Sequence, residues 1–89
     1  MEFSWDPAKR LANIQKHGVD FIFAYGMDWK TALIRADLRM VDRDVRLIAI
    51  LPLEGRLYSV AFVVRTNTCR IISVRKASDR EKKYYASEI

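Results

Sequence analysis

Three features of the sequence predict an α+β fold. Residues 5–21 place apolar side chains at helical spacing between a start signal and a stop signal. Three stretches between Val45 and Lys76 alternate with a period of two and are separated by short turns. Ser78 and Glu81 then stand in the S-x-x-E spacing that opens a helix.

Taken in order, Glu2 to Trp5 reads as a short edge strand. Asp6 is an N-cap, and Pro7 suits the first helical position because it has no N–H to leave unpaired. Ala8, Leu11, Ala12 and Ile14 form the apolar stripe of this first helix. Gly18 fits the left-handed position that ends it, with Lys16 and His17 in the last turn beside unpaired carbonyls. Asp20 caps a second, short helix through Tyr25, almost wholly apolar and so expected against the core. Gly26 ends it, and Met27 to Lys30 is a connection.

Ala32 to Asp37 is a weak strand, and Leu38 to Asp44 a polar connection. Val45 to Leu51, Leu57 to Arg65 and Cys69 to Lys76 are the three clear strands. Pro52-Leu53-Glu54-Gly55 and Thr66-Asn67-Thr68 turn between them. This order predicts an antiparallel meander with one face covered by the two N-terminal helices, followed by a C-terminal helix through about Ser87. On the last strand, strict alternation places Arg70, Ile72, Val74 and Lys76 on one face, and Ile71, Ser73, Arg75 and Ala77 on the other.

The 89 residues are expected to form one domain, 1–89, burying roughly 60% of the unfolded surface. Hydrophobic content of 51% with 30% charged residues excludes a disordered chain. The longest apolar run, Leu47 to Leu53, contains Pro52 and is too short to span a bilayer. The acidic start lacks signal-peptide features, and Cys69 has no cysteine to pair with, so a reduced cytoplasm fits. One Cys and one His give no zinc spacing, no paired carboxylates stand at helical spacing, and no Gly-rich phosphate loop exists. Neither a metal nor a cofactor is expected. The net charge of +5 is uneven: Arg65 to Lys83 hold 7 basic and 2 acidic residues. That imbalance points to a polyanionic partner, nucleic acid first and an acidic protein second.

Trp5-Asp6-Pro7, Lys9, Asn13, Lys16-His17-Gly18-Val19 and Phe21 resemble the opening signature of the BrnT-type toxins of type II toxin–antitoxin modules. Arg70 to Ala77, followed by Glu81 and Tyr84-Tyr85, resembles the closing signature, and Asp44-Val45-Arg46 a middle one. The chain departs from the pattern in three places. Ile22 and Phe23 stand where acidic residues are common, a glycine usual near Leu51 is missing, and the acidic residue sits at Asp44 instead of directly beside Arg46. Asp44 is therefore left out of the site.

The resemblance implies a RelE-like two-layer fold and a ribonuclease that inhibits translation. It also implies a BrnA-type ribbon-helix-helix antitoxin, in a hetero-oligomer that binds operator DNA through the antitoxin. RNA cleavage without a metal needs a base for the ribose 2′-OH, cations for the phosphate and an acid for the leaving 5′-oxygen. Arg46, Arg70 and Arg75 supply the forked phosphate grip. His17 is the natural acid–base group, although a histidine facing helix carbonyls also simply stabilises the helix. Glu81 is an alternative base, although the capping box alone accounts for it. Lys16, Ser73, Lys76 and Tyr84 are the expected substrate contacts, the tyrosine by stacking a base. The rival reading is a non-catalytic basic module that binds RNA or an acidic protein, or a degenerate toxin acting only in the antitoxin complex.

Overall fold

A computed structural model describes residues 2–41 and 44–88, with the backbone alone at 38–41. The elements follow in the order β1 (Glu2–Ser4), α1 (Pro7–His17), a 3-10 helix (Phe21–Gly26), a short 3-10 turn (Trp29–Thr31), β2 (Leu33–Val41), β3 (Asp44–Leu53), β4 (Arg56–Arg65), β5 (Thr68–Lys76) and α2 (Asp79–Glu88). The strands form one sheet in the order β1-β5-β4-β3-β2. Strands β2 to β5 are the expected antiparallel meander. The sheet as a whole is mixed, because β1 pairs with β5 in parallel.

The capping signals act as the residue types predict. Asp6 Oδ1 accepts from Ala8 N at 2.9 Å, and Gly18 at φ 69° donates its N–H to Ile14 O at 2.8 Å. Asp20 Oδ1 accepts from Ile22 N at 3.1 Å. Ser78 N donates to Glu81 Oε1 at 2.8 Å while Glu81 N donates to Ser78 Oγ at 3.2 Å, a closed capping box.

Three expectations are corrected. First, β2 continues through Val41, and β3 starts at Asp44, so most of the connection drawn from Leu38 to Asp44 is strand. Asp42 and Arg43, the rest of that connection, lie outside the described residues. Likewise β3 runs to Leu53, which leaves Glu54-Gly55 as a two-residue turn with φ of 49° and 80°. Second, α1 does not lay its apolar stripe on the sheet. Leu11 is 61% exposed, and Asn13 is the buried residue of the helix. The core face is occupied instead by Val19, Phe21, Ala24 and Met27 against Ala49, Leu51, Tyr58, Val60, Phe62, Cys69, Ile71 and Val74. In a 3-10 helix residues three apart stack on one side, so Phe21 and Ala24 go in while Ile22, Phe23 and Tyr25 stay exposed. Burial pushes the Cys69 thiol up to about 11 and keeps it neutral.

Third, the alternation of β5 breaks. Ala61 pairs with Ser73 but Phe62 pairs with Ile71, so β5 holds one residue more than β4 at this point. This is a β-bulge, and it reverses the phase of everything beyond it. Arg70, Ser73 and Arg75 lie opposite Val63, Ala61 and Ser59, on one face. Ile71, Val74 and Lys76 lie opposite Phe62, Val60 and Tyr58, on the core side. Lys76 is thus separated from Arg70, and Arg75 joins it.

The second face is buried as well. Ile50, Ser59, Ala61 and Val63 are all inaccessible, as are Ala77, Glu81 and Tyr85 around the C-terminal helix. Helix α2 is tied here through the Arg75–Glu81 pair and through Tyr85, whose hydroxyl donates to Thr31 O at 2.9 Å. Tyr85 is therefore packing, and so is Trp5, which meets Phe21 and Tyr25 edge-on.

Candidate active site

The phase change in β5 builds the site. Arg75, Ser73 and Arg70 project from β5 on the second face, above a floor of Ser59, Ala61 and Val63. Arg46 comes from β3, one residue past the Leu47–Phe62 pair and so level with Val63, whose partner on the other side is Arg70. Two strand spacings, about 10 Å, separate Arg46 from Arg70. The three arginines named from the sequence share one face.

Each is held differently. Arg75 makes a bidentate pair with Glu81, Nη1 to Oε1 at 2.7 Å and Nη2 to Oε2 at 3.0 Å, and Nη1 also donates to Lys76 O. Its side chain remains 40% exposed. Arg46 is more enclosed, and its Nε lies 3.4 Å from Asp37 Oδ2 on the neighbouring strand. That contact is an ion pair without hydrogen-bond geometry, and this buried Nε has no hydrogen-bond partner among the described residues. Arg70 is half-buried and pairs with no carboxylate among the described residues.

Glu81 is fully engaged. Arg75 takes both of its oxygens and Ser78 N–H takes one again. Burial pushes its carboxyl up, but the Arg75 hydrogen bonds, the Ser78 N–H and the Arg75 charge together outweigh that and hold it at about 2. A carboxylate so acidic has little appetite for a proton at neutral pH. Its geometry is that of a group fixing Arg75. Asp20 shows the same balance on a smaller scale: the Arg10 hydrogen bond holds it at about 2.

Both shifts carry a stability consequence. A carboxyl depressed from 4.5 to about 2 stabilises the fold fully above pH ~4.5, and this contribution is lost as pH falls toward 2. For Glu81 it amounts to about 2 kcal/mol after allowance for the solvent around Arg75. Urea midpoints should fall steeply between pH ~5 and ~2, and Glu81→Gln should flatten that fall. An unchanged pH profile in the variant would mean that the pair contributes nothing.

The histidine reaches the site through Asn13. Asn13 Nδ2 donates to Val19 O and to Val74 O, both at 2.8 Å, and its Oδ1 accepts from Val74 N at 3.1 Å. Strand β1 pairs with β5 only as far as Arg70, so the edge of β5 is open beyond it. The Asn13 amide fills that edge as a strand would. It thereby seats the last turn of α1 against the bulge. A shallow cleft of about 190 Å³ results, lined by Lys9, Ala12, Asn13, Lys16, His17 and Ser73. Ser73 is the link, since it lines this cleft and stands between Arg70 and Arg75 on the arginine face.

Residues 5–81 match the family described as ribonuclease toxin, BrnT, of type II toxin–antitoxin system. The chain belongs to the BrnT family. No curated protein matches it. The BrnT match runs from the α1 cap to the Glu81 that fixes Arg75, and stops short of Tyr84. BrnT proteins are ribonuclease toxins, which gives this chain an RNA target and an antitoxin partner. Among the described residues no helix is long and apolar enough to cross a membrane.

Three contributors were missed in the sequence. Asn13 was read only as part of a motif, and its position inside a helix gave no hint that its amide would pair with a strand. Arg35 and Asp37 lie opposite Ile48 and Arg46, and so fall on the arginine face. The Arg35 guanidinium lies 5.9 Å from the centre of the Tyr84 ring, over its face. Tyr84 itself stays exposed beside the site.

Proposed function

We propose that this chain is a RelE-like, metal-independent endoribonuclease that inhibits translation in the cytoplasm. The observation that carries the reading is the bulge in β5, which brings Arg70, Ser73 and Arg75 to one face and sets Ser73 beside His17. In the proposed step a base takes the proton of a ribose 2′-OH. The O2′–phosphorus bond forms and the phosphorus–O5′ bond breaks. An acid protonates the departing 5′-oxygen, leaving a 2′,3′-cyclic phosphate and a 5′-hydroxyl.

His17 is the acid–base group, and Lys16 beside it holds a phosphate. Arg70, Arg75 and Arg46 bind the scissile phosphate and the charge that grows on it. The Nε of Arg46, near Asp37 but without a hydrogen bond among the described residues, is a donor that an anion would satisfy. Ser73 hydrogen-bonds the phosphate, Tyr84 stacks a base, and Glu81 acts through Arg75 without contacting the substrate. A BrnA-type ribbon-helix-helix antitoxin covers this basic face and competes with RNA for it. The toxin–antitoxin complex binds operator DNA through the antitoxin.

Purified protein should therefore degrade RNA in excess chelator. His17→Ala should lower turnover without a large change in melting temperature. Activity that disappears with chelator and returns with magnesium would overturn the mechanism. So would a His17→Ala variant with lower thermal stability and unchanged turnover, which would make the imidazole a helix cap.

A further inference from the structure

The arginine face is not the end of the basic surface. Where β5 runs out, a cleft of about 370 Å³ opens, lined by Gly55, Arg56, Leu57, Lys76 and Lys82. Three of these five residues are cations and none is a carboxylate. Among the described residues, Arg56 and Lys76 have no ion-pair partner. Lys82 Nζ has only Asp79 at 3.9 Å, and that carboxylate is 97% exposed. Such a loose, solvated pair is worth little and is readily exchanged.

The frame around these cations is fixed. The Glu54-Gly55 turn, with both residues at positive φ, sets Arg56 at the start of β4. Nothing lies within 4 Å of the position a Gly55 Cβ would take, so this wall is open. Ala77 N donates to Leu57 O at 3.0 Å and joins the ends of β4 and β5. The cleft also adjoins the site directly, because Arg75 Nη1 donates to the carbonyl of Lys76 at 3.2 Å. The bulge in β5 leaves Lys76 on the face opposite Arg70, and Lys76 lines this cleft instead. From Arg70 to Lys76 the strand spans roughly 20 Å, room for a few nucleotides of single-stranded backbone.

We infer that Arg56, Lys76 and Lys82 form a second phosphate subsite, holding a backbone phosphate of the RNA some nucleotides away from the bond that is cut. The inference rests on the ribonuclease reading above. Leu57 gives the subsite an apolar wall for a ribose or base, and the cations grip charge without reading sequence. Its role is to lengthen the footprint and fix the direction in which RNA crosses the sheet.

The test uses fully 2′-O-methylated RNA, which binds but cannot be attacked at its 2′-oxygens, in a short length that covers the arginine face and a long one that also reaches the cleft. An Arg56→Ala, Lys82→Ala double variant should bind the long RNA about tenfold more weakly. The slope of log affinity against log salt should fall by about 0.7, the loss of one single-strand phosphate contact. Short RNA should bind the variant as it binds the wild type, and an Arg56→Lys, Lys82→Arg variant should restore the long-RNA affinity. Unchanged long-RNA affinity and slope would overturn the subsite. Equal losses on both lengths would also overturn it, as would a variant impaired only toward the antitoxin, which would make the cleft a protein contact. A wild type that binds neither RNA would overturn the ribonuclease reading, and the subsite with it.

Discussion

Arg70→Ala should reduce RNA cleavage by about 10²–10³-fold while leaving the melting temperature within a few degrees of the wild type. Arg70 is the cleaner of the two β5 arginines to test. It is half-buried, with no carboxylate partner among the described residues, so its removal strands no buried charge. If it holds the scissile phosphate, its guanidinium contributes most when charge gathers on the phosphoryl oxygens, and turnover should fall more than RNA affinity. Arg75→Ala is expected to lose as much activity but to confuse the reading. It would leave the buried Glu81 carboxylate without its bidentate partner and lower stability as well. Measuring turnover and thermal melting for both variants separates the two effects. A folded Arg70→Ala protein with more than a tenth of wild-type turnover would remove Arg70 from the chemistry.

Asn13→Ala should be the most destabilising single substitution among the polar residues of the site. It leaves the N–H and C=O of Val74 and the C=O of Val19 without their partner, on the edge of β5 that has no neighbouring strand. Each unsatisfied buried group costs about 1–3 kcal/mol, part of which water entry recovers. A net loss of about 3 kcal/mol is expected. For a chain of this size that corresponds to a fall in Tm of about 12–24 °C. Asn13→Asp should fare no better, because a carboxylate would face two carbonyls in place of the amide donor. At temperatures where Asn13→Ala is still folded, cleavage should also fall, since the amide is what seats Lys16 and His17 beside Ser73. A Tm drop below about 5 °C would show that the edge of β5 is satisfied in some other way.

Local rules predicted the parts of this fold that local chemistry controls. The Asp6 and Asp20 caps, the Gly18 stop and the Ser78–Glu81 box depend on a few adjacent residues, and each is found as expected. The order of the elements and the faces of β3 and β4 followed from periodicity for the same reason. The parallel partner of β5 did not, because pairing between residues some 66 positions apart leaves no local trace. The stripe of α1 misled because Leu11 and Ala12 read as core only if the helix lies on the sheet. Here a buried amide turns the opposite way to close an edge.

The site was half legible. Arg70 and Arg75 were both named from the sequence, yet strict alternation put them on opposite faces. A bulge has no signature in Ile71-Ile72-Ser73-Val74 beyond the charges it reconciles. Once the extra residue is counted, both arginines face the same way, and only Lys76, at the exposed end of the strand, is left on the other face.

The central claim is that the ribose 2′-oxygen attacks the phosphate held on the arginine face. It is tested most directly on an RNA oligonucleotide carrying one 2′-deoxy residue at the mapped cleavage position, incubated in chelator. The expected result is that cleavage stops at that position alone, while the unmodified RNA is cut there to give a 2′,3′-cyclic phosphate and a 5′-hydroxyl. Cutting at the deoxy position, or products with 5′-phosphate ends, would contradict the mechanism.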